Sequence, residues 1–206
     1  MSKDEQRIIV VERDILFKDG FFEGFKPARE FDYESRILSN IKIMRRGDAE
    51  KDSTHKQPIG YMIIVNPETK QVFAYQRSTD DKRYTEKRLQ GKWSWGIGGH
   101  IEPSDTKGNP IRESMIRELS EEVHLEGGAV GEPQVLGYIY HDFDVHQVHF
   151  GILYMIETNG DVHPKDPEMS QGKLMGLNEL EEICSSPNCE VEEWSKTALV
   201  QLRNLL

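Results

Sequence analysis

Residues 98–125 read GGHIEPSDTKGNPIRESMIRELSEEVHL: a glycine pair, a polar loop, then a helical pattern whose second half carries Arg117, Glu118, Glu121 and Glu122. Residues three and four apart are neighbours on a helix, so Glu118 lies beside Glu121 and Glu122, and Arg117 reaches Glu121. Three carboxylates within about one turn repel and raise one another's pKa values unless a cation sits among them. An all-oxygen donor set with no cysteine nearby suits Mg²⁺ or Mn²⁺ better than Zn²⁺. The apolar residues Ile111, Met115 or Ile116, Leu119 and Val123 form a stripe that docks the helix and turns the glutamates away from the core. Asn109 as N-cap and Pro110 in the first helical position start the helix. From Pro110 to Val123 it would run about 21 Å, at roughly 1.5 Å per residue.

The stretch resembles the Nudix box, whose family pattern is G-x5-E-x7-R-E-U-x-E-E-x-G-U, with U aliphatic. Gly99 can serve as the first glycine, and Arg117, Glu118, Leu119, Glu121, Glu122 and Leu125 match the second half in order. The resemblance implies that Glu118 and Glu122 are metal ligands with Glu121 assisting, and that Gly99, or else Gly98, offers a backbone carbonyl. It implies that Arg117 orients a glutamate rather than touching substrate. Three departures mark the box as divergent. Asp105 stands where the family has glutamate, the loop before the helix is four residues longer so that Asn109 stands eight before Arg117, and His124 replaces the glycine that closes the helix. The longer loop precedes Pro110 and need not disturb the helix, since loop insertions are thermodynamically mild. His124 requires closure by its side chain or a C-cap shifted to Gly127 and Gly128.

The implied fold is α/β (α+β), a mixed β-sheet sandwiched between helices. Residues 56–206 would form the Nudix domain and residues 1–55 an N-terminal extension packed on it. IGYMIIV reads as a buried strand, NPETK as a turn and QVFAYQR as the partner strand. Further strands are expected at Gln134 to Tyr140 and Val145 to Glu157, and a last helix at about Val191 to Leu202. In the extension, Ile8 to Phe17 reads as a strand and Tyr33 to Met44 as a helix, with Arg45 to Lys56 as a polar separator. The extension resembles a Nudix subgroup described as predicted phosphoesterases and could form a homodimer surface.

The implied activity is hydrolysis of a phosphoanhydride in a nucleoside-diphosphate-type small molecule, with Glu121 or Glu168 as general base and Arg117 in support. Glu168 is chosen because family members place an acid before a strand leading to an aliphatic-x-x-Glu-Leu helix start, and here Glu168 precedes KLMGLNEL; Asp166 is its alternative. The formal net charge of −10 disfavours DNA and anionic membrane surfaces. An anionic substrate then needs local help beside the metal; Lys82, Arg83, Lys87, Arg88 and Lys92 form a basic stretch before the glycines, and Arg77, Arg83 or Arg88 are candidates for a phosphate or ribose contact. His100 follows the glycine turn and could face substrate. The W-x-x-x-x-G-G-H approach also resembles the isopentenyl diphosphate isomerase branch, but Cys184 and Cys189 fall far after the box and match no catalytic cysteine. Those two thiols, spaced C-x4-C, form neither a zinc motif nor a disulfide framework. A non-catalytic nucleotide sensor is disfavoured because the box glutamates are intact. Among His141, Asp142, Asp144, His146 and His149, strand parity puts Asp144 and His146 on one face and His149 on the other, which argues against a separate zinc site. The N-terminus is charged, and no segment reaches the roughly 20 apolar residues of a membrane helix, so a cytoplasmic protein is expected.

Overall fold

The computed structural model describes residues 2–80, 87–105 and 108–206. Along it run β1 (Arg7–Glu12), α1 (Arg13–Leu16), β2 (Gly24–Pro27), α2 (Tyr33–Leu38), β3 (Lys42–Arg45), α3 (Arg46–Ala49), β4 (His55–Asn66), β5 (Gln71–Arg77) and β6 (Trp93–Ser94). Then follow α4 (Pro110–Glu122), β7 (Val123–Glu126), β8 (Gln134–Tyr140), β9 (His149–Glu157), β10 (Asp161–Pro164), β11 (Met169–Gly176), α5 (Leu177–Ser185) and α6 (Glu193–Leu202). The expected class holds, a large mixed sheet flanked by helices. The chain divides into two compact units: Met1–Tyr61, Gly98–Glu118 and Val135–Tyr154 in the first, Met62–Ile97, Leu119–Gln134 and Met155–Leu206 in the second.

In the first unit the strand order is β4-β9-β8-β2, with β1 antiparallel to β4 and β3 antiparallel to β1. Its core is aromatic. Tyr33, Tyr138 and Phe150 meet with ring centroids 4.9–5.9 Å apart, and the backbone N–H of Tyr33 donates to the Tyr138 hydroxyl at 3.1 Å. The extension differs from its sequence reading in two places. β1 stops at Glu12 and the chain turns helical through Leu16. The helix expected to reach Met44 ends at Leu38, after Asp32 caps it by accepting from the Ser35 N–H at 2.9 Å, and Lys42–Arg45 is a strand. The i+3 and i+4 spacing of Ile37, Ile41 and Met44 fits a helix, but Met44 packs instead on Ile8, Val10 and Ala49 while Ile43 faces out, which is strand alternation. The polar separator contains α3, with Gly47 and Ala49 buried.

Close backbone approach fixes the start of α4. A Cβ on Gly60, in β4, would lie 2.4 Å from Met115 Cγ, so Met115 seats directly on the strand. One on Gly98 would lie 2.0 Å from the Gly60 carbonyl oxygen, which no side chain tolerates. Ile111 and Met115 are buried as expected, whereas Ile116 is half exposed, so Met115 continues the docked stripe.

In the second unit the order is β9-β4-β5-β11, with the two-residue β6 on β5. The NPETK turn is closed by Asn66, whose Oδ1 accepts from the N–H groups of Glu68 and Thr69. Trp95 is buried and donates its indole N–H to the Ser195 carbonyl at 2.6 Å, while α6 buries Trp194, Ala198 and Leu202. The end of α4 also departs from expectation. Neither His124 nor the Gly127–Gly128 pair caps it. The chain passes straight into β7, where His124 pairs with His163 of β10, and the Glu122 carbonyl accepts from the N–H groups of Lys165 and Asp166 at 2.8 and 3.1 Å. An adjoining strand partner therefore closes the helix in place of glycine. Gly127, at φ +73°, lies in the bend that follows β7 instead.

Candidate active site

Arg117 is the hub of the first unit's polar residues. Its Nε donates to Asp105 Oδ1 at 3.1 Å, its Nη2 to Asp105 Oδ2 at 3.2 Å and to the His100 carbonyl at 3.1 Å, and its Nη1 to Glu118 Oε1 at 2.7 Å. Burial opposes the guanidinium charge, but the bonds and charges of Asp105 and Glu118 outweigh it and raise the Arg117 pKa further. Asp105 is itself buried and receives the Glu102 N–H at 2.8 Å, so the lengthened loop anchors Arg117 from behind. The glutamate that Arg117 is seen to orient is its immediate neighbour, Glu118.

Glu118 is pressed against glycine. A Cβ on Gly99 would lie 2.3 Å from Glu118 Oε1, so only a bare backbone lets the carboxylate occupy its place. Glu121 is exposed, whereas Glu122 is half-buried with Oε2 sealed from solvent. The two N–H bonds onto the Glu122 carbonyl tie down the turn that leads to Glu168. Glu168 is half-buried, donates its backbone N–H to Asp166 Oδ1 at 2.7 Å and accepts the Ser78 N–H at 2.8 Å, directly before β11.

The profile of the NUDIX domain family matches residues 56–193. The chain belongs to that family. YmaB of Bacillus subtilis is 33% identical to it over 192 residues, covering 88% of this chain and 91% of YmaB. The crystal structure of Tm1382, a candidate Nudix hydrolase, superimposes with a TM-score of 0.79 at 28% identity, covering 98% of this chain and all of Tm1382. DR0079 from Deinococcus radiodurans, at 12% identity and a TM-score of 0.52 over 97% of this chain and 98% of its own, shares the fold. The chain is a Nudix-type hydrolase, and α4 lies within the matched residues.

The remaining candidates sit apart from α4 in kind. Arg77 is bound by its Nε to Glu192 Oε1 at 2.6 Å, and Glu192 Oε2 accepts the Ser94 hydroxyl at 3.1 Å. Arg83 lies outside the described residues, and Arg88 is exposed. The His100 ring is only 11% exposed and its Nε2 lies 2.6 Å from Gln57 Oε1 and 3.7 Å from Glu50 Oε1. Burial, helped by Arg46, His149 and Lys3, holds its pKa well below the usual histidine value, so the ring is neutral. His149 Nε2 approaches the same Glu50 oxygen at 3.9 Å. Sequence reasoning missed Glu50 and Gln57 and separated His149 from any partner, because Asp144–Val148 is a 3₁₀ turn rather than strand and its parity argument does not apply. No local spacing signals the group, since Glu50, His100 and His149 stand about 50 residues apart in sequence; the single cue was a histidine after the glycine pair. Among the described residues no helix is long and apolar enough to cross a membrane.

Proposed function

We propose that this chain is a divalent-metal-dependent hydrolase that cleaves the phosphoanhydride of a nucleoside-diphosphate-type small molecule. The observation that carries the reading is the Glu118 carboxylate, oriented by Arg117 and laid against a glycine whose missing Cβ leaves room for it. Glu118, Glu122, an assisting Glu121 and the Gly99 carbonyl form an oxygen-only set, which fits Mg²⁺ or Mn²⁺. Such an ion supplies charge neutralisation at phosphorus and a bound water of lowered pKa. The protein's own part is positional. Arg117 and Asp105 fix the Glu118 rotamer, and the bonds onto the Glu122 carbonyl fix the helix end beside the Glu168 turn. A carboxylate on that turn or on the exposed edge of the helix, Glu168 or Glu121, takes the proton from the attacking water.

The test is turnover, read as phosphatase-coupled phosphate release, on a panel of nucleotide sugars, dinucleoside polyphosphates, NADH, ADP-ribose and oxidised nucleoside triphosphates with Mg²⁺ or Mn²⁺. The expected result is metal-dependent release on at least one member, abolished in Glu122→Gln. Silence on every member by the wild-type chain would sink the hydrolase reading.

A further inference from the structure

We propose that Glu50, His100 and His149 form a second metal site, built for a divalent transition ion of the Zn²⁺ type and separate from the oxygen-only site proposed at α4. The inference goes beyond the hydrolase reading and does not depend on it. Their ligand atoms all lie within 4.8 Å of one another, with Glu50 Oε1 3.7 Å from His100 Nε2 and 3.9 Å from His149 Nε2. Ligands about 2.0–2.1 Å from a tetrahedral ion lie about 3.4 Å apart, so small side-chain rotations bring these atoms to an ion. Two imidazoles and one carboxylate are the three-ligand set of zinc sites that keep an open position. Imidazole also selects against Mg²⁺, which separates this site from the acidic one by chemistry.

The surroundings are those of a ligand site rather than a casual histidine pair. His149 Nδ1 donates to the Val145 carbonyl at 2.5 Å, which fixes the tautomer and leaves the Nε2 lone pair directed to the side of Glu50. Gln57 is fully buried, and its Oε1 accepts from His100 Nε2–H at 2.6 Å while its Nε2 is sealed from solvent with no hydrogen-bond partner. An unmatched buried donor is unfavourable. A water or anion at the open position of the ion would accept from it. On binding, the ion takes the place of the His100 Nε2 proton, and the ring's one proton moves to Nδ1. Arg46 Nε, 3.5 Å from Glu50 Oε1, supplies the positive charge that the carboxylate needs when no ion is bound. His100 also joins the two sites covalently, since it follows Gly99 and its carbonyl receives Arg117 Nη2.

The experiment titrates Zn²⁺ calorimetrically, and Co²⁺ by visible absorption, into chelator-stripped full-length protein held in millimolar Mg²⁺ to fill the acidic site. One Zn²⁺ per chain and the intense absorption of four-coordinate Co²⁺ are expected. Glu50→Gln and His149→Gln should each weaken Zn²⁺ at least about tenfold, with the metal-free unfolding midpoint near that of the wild type, and Gln57→Leu about tenfold although Gln57 is not itself a ligand. Glu118→Gln should leave the Zn²⁺ titration unchanged while removing Mg²⁺-dependent turnover, so the two readings fail separately. Wild-type Zn²⁺ affinity in Glu50→Gln, His149→Gln and Gln57→Leu alike, loss of Zn²⁺ binding in Glu118→Gln, or no transition-metal binding at all overturns the site.

Discussion

Two arginines in this protein each grip a glutamate at nearly the same distance, Arg117 to Glu118 at 2.7 Å and Arg77 to Glu192 at 2.6 Å. Their surroundings differ. Glu192 is 6% exposed and offers its second oxygen to the Ser94 hydroxyl, inside a knot where Ser195 receives the Trp95 N–H and Trp95 donates its indole to the Ser195 carbonyl. Protein donors thus meet both Glu192 oxygens. Glu118 instead lies against a backbone kept bare by Gly99, and its arginine is braced from behind by Asp105 and the His100 carbonyl. The same ion pair is a fastener in one place and a pointing device in the other. What separates them is whether the carboxylate faces side chains or a glycine.

The largest expected effect tests the pointing pair. Glu118→Gln keeps the shape and removes the charge, and since metal-assisted charge stabilisation contributes several kcal/mol, kcat on the active substrate should fall on the order of a thousandfold. Its thermal midpoint should stay within a few degrees. Activity near wild type would make Glu118 a fastener like Glu192. The neighbouring glycines then divide the two roles more finely. Gly99→Ala puts a methyl into the Glu118 carboxylate, the end of a side chain that can swing, so the loss should appear as at least about tenfold in kcat and a raised metal requirement. Gly98→Ala drives its methyl into the Gly60 carbonyl, which is backbone and cannot yield, and should cost about 2–3 kcal/mol of stability by denaturant titration. Equal effects of the two alanines on both readouts would erase the distinction.

Arg77→Gln tests the fastener. It leaves the buried Glu192 without its cation, which should cost about 2–3 kcal/mol after allowing for the partial exposure of Arg77, and lower Tm by roughly 5–10 °C. The kcat/KM of the folded variant should stay within twofold. A tenfold loss of kcat/KM at unchanged Tm would instead put Arg77 on the substrate, the role its place near the basic stretch suggests from sequence.

Arg117 could be read from the sequence and the job of Arg77 could not, for a physical reason. The chemistry proposed for α4 depends on neighbours one to four residues apart, so spacing alone places Glu118, Glu121 and Glu122 on one helix and marks Arg117 as their companion. The strand IGYMIIV and its partner QVFAYQR were legible for the same reason, being local alternation and turn chemistry. The partner of Arg77 is 115 residues away, and nothing in either segment names the other. The Asp105 brace read only as a departure from the box, because its value lies in a contact with Arg117, 12 residues further along the chain. His124 misled in the same way. Closure of the helix by the Lys165–Asp166 backbone is a tertiary event with no sequence signature. In the extension, Ile37, Ile41 and Met44 satisfied a helical period by accident, and pairing of β3 with β1 decided between the two geometries.

A third cation extends the comparison to a charge held without a carboxylate bond. Lys56 is fully buried, and its Nζ donates to the carbonyls of Ser53 and Gln147 at 2.8 and 2.7 Å. Carbonyl dipoles do not replace water around an ammonium group as an anion would, and burial, with the charge of Arg13 added, brings its pKa down to about 8. The folded pKa lies below the unfolded one, so the cost of burying the charge is present in full below pH 8. Above that the unfolded chain binds more protons than the folded one, and stability from this group rises with pH until the unfolded lysine also titrates near 10.5. Between pH 8 and pH 9 the gain should be about 1 kcal/mol. Lys56→Met should remove it, so the test is the difference between wild type and variant in urea midpoint at the two pH values, which cancels the titration of other groups. Parallel pH dependence in the two proteins would mean that Lys56 holds its proton as firmly as the paired arginines do, and that the two carbonyls, with Asp142 and Asp52 nearby, suffice to keep a buried ammonium charged.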